Sequence, residues 1–155
     1  MNRLEDVKTS FGALFFVANR LETLIDRYLA KYHLTTKQFF LSLVLIQNQK
    51  PALTLGQVSR LMGTTRQNVK QLALKLEKRG FCKITPDLED KRILRLSITK
   101  KNSDFWNQID EENVKFLNTV FQDMDDEILE YLAKGLKSLF QTIEKMEEAD
   151  ASLKL

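Results

Sequence analysis

Apolar side chains recur at intervals of three and four along two long stretches of the chain, one towards each end. The first stretch predicts a helix over residues 9–31, and the second predicts helices over residues 100–119 and 125–147. The apolar stripe of the first helix is so wide that this helix needs more than one packing partner. Exposed apolar surface of this size is typical of interfaces, so both ends of the chain indicate self-association.

Two shorter segments in the middle of the chain carry signals for the start of a helix. Thr35 with Gln38, and Thr54 with Gln57, have the spacing of a capping box, in which each side chain bonds the backbone N–H of the other residue. We therefore expect one helix to follow each pair. The first of these helices ends before Pro51, because proline cannot continue a helix.

A third short helix is predicted to begin at Thr64 or Thr65 and to end at Gly80, because glycine is favoured just after a helix. Apolar and polar residues then alternate over residues 81–84 and 93–98, which predicts the two strands of a hairpin. Two short helices joined by a tight turn and followed by a hairpin form a winged helix-turn-helix. This motif places its second helix in the major groove of DNA.

The predicted fold class is therefore mainly α with a small β-hairpin wing. The winged helix-turn-helix spans residues 33–99, and N- and C-terminal dimerisation helices flank it over residues 1–32 and 100–155. We expect the terminal helices to pack together into one dimerisation module. Residues 1–155 then form a single unit, since no linker, repeat or low-complexity run divides them.

Charge is unevenly distributed along the chain. The net charge is only +3, but residues 60–101 hold 12 Lys and Arg against 4 Asp and Glu, a local charge of +8. Residues 102–155 hold 5 against 13, a local charge of −8. A run of charges is usually a solvated helix face, but this basic run coincides with the helix-turn-helix and hairpin. It therefore indicates binding to a polyanion such as DNA.

Composition argues against several other classes of protein. A single cysteine cannot build an internal disulfide framework, which agrees with a cytoplasmic protein. No apolar run reaches the ~20 residues of a membrane span, and the first ten residues lack the apolar core of a signal peptide. No nucleophile–base pair, Gly-rich phosphate loop or carboxylate pair is recognisable, so we expect neither an enzyme nor a cofactor.

The third short helix carries the side-chain types that recognise DNA. Arg and Lys can bond guanine, and Asn and Gln can bond adenine, at base edges in the major groove. The alternative is a polar face that only meets water. The candidate DNA-binding residues of this helix are Thr65, Arg66, Gln67, Asn68, Lys70 and Gln71. Thr36 and Lys37, at the start of an earlier helix, are candidate phosphate contacts.

The hairpin tip adds the candidates Asp90, Lys91 and Arg92. We expect Arg92 to enter the minor groove, because a narrow A/T-rich minor groove attracts arginine. Asp90, two residues earlier, can hold its guanidinium by a charge-assisted pair. The alternative is an ordinary surface salt bridge, which contributes little.

Two single residues favour structural interpretations. Cys82 could be a redox sensor, but sensors need an exposed thiolate, and Cys82 lies among the apolar residues of a predicted strand. We therefore expect a buried, structural cysteine. His33 is the only histidine, whereas a transition-metal site needs several His or Cys ligands, so no metal site is predicted. We interpret His33 as a helix-end residue.

This organisation resembles the MarR family of transcriptional regulators, which are winged-helix proteins that work as dimers. The motifs that carry the resemblance are Leu34-Thr35 followed by Gln38, the segments Val58-Ser59-Arg60-Leu61-Met62-Gly63 and Leu76-Glu77-Lys78-Arg79-Gly80-Phe81, the wing triplet Asp90-Lys91-Arg92, and Leu96-Ser97-Ile98-Thr99. The chain departs from the family where Lys101-Asn102-Ser103 replaces a stretch that usually contains glycine, and where Ser59 replaces the usual alanine.

The resemblance implies a cytoplasmic homodimer that binds a pseudo-palindromic operator and acts as a ligand-responsive repressor. It also implies a small lipophilic or aromatic effector, for which Phe11, Phe15, Phe39 and Phe40 are candidate pocket residues. The alternative for these phenylalanines is plain core. The alternative function is a helical protein–protein adaptor whose winged helix no longer binds DNA, which an acidic recognition face would have favoured.

Overall fold

The structure is a computed structural model, and it describes residues 2–48 and 51–153. Helices predominate in these residues, and three short strands form a small antiparallel sheet. The predicted fold class is confirmed. The elements in chain order are α1 (Arg3–Leu29), α2 (Thr36–Gln47), β1 (Leu53–Thr54), α3 (Leu55–Met62), α4 (Arg66–Lys78), β2 (Cys82–Pro86), β3 (Leu94–Ile98), α5 (Lys100–Gln108), α6 (Asp110–Val120) and α7 (Asp126–Leu153).

Both predicted capping boxes are present. Thr35 Oγ1 accepts the N–H of Gln38 at 3.3 Å, and Gln38 Oε1 accepts the N–H of Thr35 at 3.0 Å. Thr54 and Gln57 make the same pair of bonds at 3.2 and 2.8 Å. Helices α2 and α3 therefore begin where local hydrogen bonding predicts them to begin.

The predicted bounds of the longer helices need correction. Helix α1 begins at Arg3, six residues earlier than predicted, and α7 continues to Leu153. The single helix predicted over residues 100–119 is wrong, because the backbone leaves the helical region at Ile109 (φ −103°, ψ 11°). Asp110, Glu111 and Glu112 then occupy the first turn of α6, where the helix dipole favours acidic side chains.

The sheet has the strand order β1-β3-β2. Strands β2 and β3 form the predicted hairpin, paired from Cys82 with Ile98 to Pro86 with Leu94. Strand β1 was not predicted, because two residues are too few for an alternating pattern. Its pairing with β3 ties the start of α3 to the hairpin.

The helix-turn-helix and the hairpin share one hydrophobic core. Residues from α2, α3, α4 and β3 are at most 1% exposed, and they include Leu41, Leu45, Val58, Val69, Leu76 and Leu96. This core belongs to a compact unit of residues 1–108, and residues 109–155 form a second unit. Because the core joins consecutive elements of the motif, it determines how α4 is oriented relative to α2 and α3.

The predicted structural cysteine is confirmed. The side chain of Cys82 is 1% exposed in the core, and its Sγ lies 3.3 Å from the carbonyl oxygen of Ala73. Burial disfavours the thiolate, and the nearby Glu77 carboxylate adds to the effect, which raises the pKa of Cys82 to about 12. A thiol with this pKa is a poor nucleophile at neutral pH.

A buried amide stands where the family resemblance leads one to expect glycine. Asn102, in the first turn of α5, is fully buried and donates from Nδ2 to the hydroxyl of Ser42 in α2 at 3.0 Å. Its own N–H bonds the Thr99 hydroxyl at 3.3 Å, so Thr99 caps α5. The bond between Ser42 and Asn102 joins two elements that lie far apart in the sequence.

Large apolar side chains are exposed on the terminal helices. On α1 they include Leu4, Val7, Phe11, Phe15, Phe16 and Val17, and on α7 they include Ile128, Tyr131, Leu136, Phe140, Ile143 and Met146. The prediction that these helices form a common dimerisation module stays a prediction. Within residues 2–48 and 51–153, no helix combines the length and apolar character needed to cross a membrane.

Candidate nucleic-acid interface

The turn between α3 and α4 is stabilised by hydrogen bonds from both sides. Gly63 ends α3 in the left-handed region (φ 62°), which a residue with a Cβ adopts only with strain. Thr64 N then bonds the carbonyl oxygen of Ser59 at 3.0 Å. Thr65 caps α4 through its hydroxyl, which accepts the N–H of Asn68 at 3.1 Å. The first turn of α4 is thereby anchored to α3.

Helix α4 separates its side chains into a buried and an exposed face. Val69, Leu72, Ala73 and Leu76 pack into the core. The predicted DNA-binding residues of the helix are all exposed, namely Thr65, Arg66, Gln67, Asn68, Lys70 and Gln71. They lie in the first half of the helix, together with its positive dipole end, so the face is suited to an anionic partner.

Two of these exposed side chains already have contacts within the protein. Asn68 donates from Nδ2 to the hydroxyl of Thr64 at 2.9 Å. The guanidinium of Arg66 lies over α3, so close to Gly56 that a Cβ there would be 3.2 Å from its Nε. Arg66 and Asn68 must therefore exchange these contacts if they are to reach the edge of a base.

The wing has a rigid base that depends on Asp87. One carboxylate oxygen of Asp87 accepts a short hydrogen bond from Nε of Arg95, and the other accepts the N–H groups of Glu89 and Asp90 at 3.0 and 3.1 Å. The bond with Arg95 and these two backbone bonds lower the pKa of Asp87 to about 2. Arg95 also donates to the carbonyl oxygen of Ala52 at 2.6 Å.

Sequence reasoning missed Arg95. Its place in an alternating strand was visible, but nothing in the local pattern showed that its guanidinium joins Asp87 of the loop to Ala52, 43 residues earlier. Arg95 is only partly exposed, with 32% of its side chain accessible. It therefore stabilises the wing from within the fold.

The predicted pair between Asp90 and Arg92 is present. The carboxylate accepts from Nε and Nη2 of Arg92 at 3.0 and 3.1 Å, and from the Arg92 backbone N–H at 3.0 Å. These bonds lower the pKa of Asp90 and raise that of Arg92. The Arg92 side chain nevertheless remains 92% exposed, and Lys91 is exposed beside it. The cation is thus held in one orientation and stays accessible.

The candidate phosphate contacts at the start of α2 face acidic residues of α1. The N–H and the hydroxyl of Thr36 lie 2.7 and 2.8 Å from the same carboxylate oxygen of Asp26. Lys37 pairs with Glu22 at 3.3 Å. A phosphate contact at these two residues, which stays a prediction, must therefore replace an existing carboxylate.

A cavity of about 390 Å³ lies between α1, α2 and the turn before α4. Phe39 and Phe40 line it, together with apolar residues of α1 and with Thr36, Lys37, Thr64 and Asn68. The other two predicted pocket residues, Phe11 and Phe15, lie outside the lining, and each is at least 60% exposed on α1. The cavity therefore shares residues with the predicted DNA-binding face.

His33 has the structural role that was predicted. It ends the 3₁₀ turn Ala30–Tyr32 in the left-handed region (φ 54°), and its carbonyl oxygen accepts from Nη1 of Arg79 at 2.6 Å. In the residues that the structure describes, no group of three or more His, Cys, Asp or Glu side chains could hold a metal ion.

The chain is similar to known regulators in sequence and fold. Residues 34–94 match the model of the MarR family. The chain is 25% identical over 126 residues to the HTH-type transcriptional regulator PrsX of Escherichia coli, which covers 81% of this chain and 71% of PrsX.

Its fold is similar to that of the transcriptional regulator BldR from Sulfolobus solfataricus, with a TM-score of 0.78, 17% identity, and coverage of 92% of this chain and 99% of BldR. It is also similar to MepR of S. aureus, solved in complex with DNA, with a TM-score of 0.71, 17% identity, and coverage of 85% and 97%.

These relatives are transcriptional regulators and not enzymes, as the absence of a recognisable catalytic motif predicted. The matched residues 34–94 contain the helix-turn-helix and most of the wing, so sequence similarity and fold similarity agree on the same part of the chain. Residues 34–94 thus form a domain of the MarR type, in a chain that is similar in sequence to the transcriptional regulator PrsX and in fold to BldR and MepR.

Proposed function

We propose that the protein binds a pseudo-palindromic operator as a homodimer in the cytoplasm and represses transcription until a small effector releases it. The observation that carries this proposal is the exposed polar face of α4 together with the exposed, oriented Arg92 of the wing. A helix with Arg, Gln, Asn and Lys on one face can bond base edges in the major groove. An arginine beside it suits a narrow minor groove.

The dimer is proposed because of the exposed apolar side chains of the terminal helices. Leu136, Phe140 and Ile143 of α7 are each 45% or more exposed, and Phe11 and Phe15 of α1 are at least 60% exposed. A second copy of the chain can cover such stripes, because a two-fold interface uses the same patch on both subunits. A two-fold dimer also matches the symmetry of a palindromic operator.

The effector is proposed to occupy the cavity beside α4. The apolar part of its lining, from Leu21, Ile25, Phe39 and Phe40, suits a lipophilic or aromatic body. Asn68 belongs to this lining and to the proposed DNA-binding face. An occupant that contacts Asn68 can therefore oppose DNA binding directly.

The DNA-binding proposal is tested by recovering bound duplexes from genomic fragments and titrating them with variants. Arg92→Ala removes an exposed cation that carries little of the core, so we expect weaker binding with an unchanged thermal midpoint. Asp90→Ala should have a smaller effect in the same direction, because it removes only the orientation of the arginine. If Arg92→Ala binds the recovered duplex as tightly as the parent, the wing is only a structural hairpin.

The fluorescence of the single tryptophan, Trp106, provides a test of the effector proposal. The Trp106 ring packs against Phe39, a lining residue of the cavity, at a centroid distance of 5.1 Å. We expect anilinonaphthalene sulfonate, an aromatic anion, to quench Trp106 emission and to displace the recovered duplex over the same concentration range. Quenching without displacement would show that the cavity is not coupled to DNA binding.

A further inference from the structure

Leu88, at the tip of the wing, is the most exposed large apolar residue in the described part of the chain. Its side chain is 98% accessible, whereas the next most exposed, Phe16, is 74% accessible. Single exposed leucines are common on protein surfaces and need no explanation by themselves. Leu88 differs because the structure around it holds it in place.

The loop that carries Leu88 is closed by backbone hydrogen bonds. The N–H of Asp87 bonds the carbonyl oxygen of Ile93 at 2.8 Å, and the N–H of Ile93 bonds that of Asp90 at 2.9 Å. The Asp87 carboxylate accepts the N–H of Glu89, the residue directly after Leu88. The backbone on both sides of Leu88 is therefore bonded, so the loop presents this leucine in a defined position.

The charges beside Leu88 favour an anionic partner. Asp87 is paired with Arg95, and Asp90 is paired with Arg92. Lys91 and the guanidinium of Arg92 remain exposed. Glu89, at the same tip, is an exposed carboxylate beside these cations. An apolar side chain next to an exposed arginine fits a surface with anionic edges and an apolar floor.

The minor groove of DNA is such a surface. Phosphates line its two edges, and the C–H groups of deoxyribose form its walls. Proteins that enter the minor groove use Arg or Lys there and frequently place apolar side chains such as leucine in it as well. The wing and the proposed DNA-binding face of α4 belong to the same compact unit, residues 1–108.

We propose that Leu88 packs against the deoxyribose walls of the minor groove next to Arg92, and that it contributes an apolar, charge-independent part of operator affinity. This inference rests on the proposed function, in which the wing meets DNA. When a leucine packs against sugar, it removes more apolar area from water than an alanine at the same place, so it contributes more to the binding free energy. The contribution should therefore be visible in binding and absent from the stability of the free protein.

The test compares Leu88→Ala, Leu88→Met and Arg92→Ala on the duplex recovered from genomic fragments, at several salt concentrations. We expect Leu88→Ala to weaken binding roughly five- to tenfold, and Leu88→Met to retain the affinity. Leu88→Ala should leave the slope of affinity against salt unchanged, because no charge is lost. Arg92→Ala should weaken binding and also reduce that slope, by about one unit at most.

Glu89→Ala is the matched control, since it truncates the neighbouring residue of the same loop. We expect this variant to bind at least as tightly as the parent, because it removes a negative charge facing DNA. If Leu88→Ala and Glu89→Ala are weakened equally, the loop has been disturbed and Leu88 has no contact of its own.

The outcomes separate this inference from the function on which it rests. If Arg92→Ala is weakened and Leu88→Ala binds like the parent, the wing meets DNA and the role of Leu88 is overturned. If both variants bind like the parent, the wing does not enter the groove, and the proposed use of the wing fails as well.

Discussion

Helices α4 and α7 have the same amphipathic pattern but different packing. In α4, Val69, Ala73 and Leu76 are completely buried in the core of the unit formed by residues 1–108. In α7, Leu136 is 45% exposed and Phe140 is 55% exposed. The periodicity of apolar residues predicts an apolar face in both helices, but it carries no information about what covers that face.

The comparison indicates that the two helices serve different interactions. The apolar face of α4 is covered by its own chain, and its polar face is exposed, where we propose that it meets DNA. The apolar face of α7 needs a partner, for which we propose a second copy of the chain. Substitutions on the two helices should therefore affect different measurable properties.

The largest effect is expected on α7. Leu136→Glu places a carboxylate in the proposed interface. A two-fold interface contains the substitution twice, so the free energy of dimerisation should weaken by roughly 3–6 kcal/mol, the value for burying two leucine side chains. We expect a monomer by sedimentation at micromolar concentration. Lys137→Glu, which adds the same side chain one residue later, should leave the dimer intact. A parent protein that is itself monomeric at this concentration contradicts the dimer.

A smaller effect is expected for the buried face of α4. Leu76→Ala removes a fully buried side chain and should lower the free energy of unfolding by about 2–5 kcal/mol. The measurement is urea denaturation at two protein concentrations. Because Leu76 lies in the core of its own unit, the decrease in the free energy of unfolding should be the same at both protein concentrations. A loss that grows on dilution would mean that Leu76 acts through the dimer.

Substitutions on the polar face of α4 should change DNA binding and leave dimerisation and stability unchanged. Arg66→Ala or Gln67→Ala should cost about 1–3 kcal/mol in operator binding and relax the preference at one base pair of each half-site. Lys70→Ala should weaken all sequences alike if Lys70 meets phosphate. Lys134→Ala, on the exposed surface of α7, is the control. Unchanged operator affinity in all three α4 variants would refute α4 as the recognition helix.

The smallest effect concerns the wing and depends on pH. The pKa of Asp87 is lowered to about 2, against about 3.9 in an unfolded chain, so its contribution to stability is complete above about pH 4. That contribution is lost as the pH falls through about 2. We expect Asp87→Asn to have a lower thermal midpoint than the parent at pH 7, and the difference to disappear towards pH 2. A constant difference at all pH values would contradict this assignment.

Features that depend on neighbouring residues could be predicted from the sequence. The capping boxes at Thr35 and Thr54, the exposed first half of α4 and the pair between Asp90 and Arg92 each involve residues at most a few positions apart. Their geometry follows from helix and hairpin periodicity, so a local pattern is sufficient. Burial of Cys82 followed in the same way from the alternation in its strand.

Features that join distant residues could not be predicted. Arg95 bonds Ala52 across 43 positions, and Asn102 bonds Ser42 across 60. The cavity combines side chains of α1, α2 and the turn before α4, and it includes Phe39 and Phe40 but not Phe11 and Phe15. In the sequence all four phenylalanines are simply apolar residues of helices. Only the packing of the helices decides which of them line the cavity.

The local chemistry of this chain thus specified most of its helices, their caps, the wing and the basic face that we propose meets DNA. Short-range hydrogen bonds and side-chain periodicity are sufficient for these features, because they act within a few residues. Which apolar faces are covered within the chain, how Arg95 anchors the wing and where a cavity forms depend on contacts between elements. Such contacts exist only after the chain has folded, because they combine the shapes and charges of segments that the sequence keeps far apart.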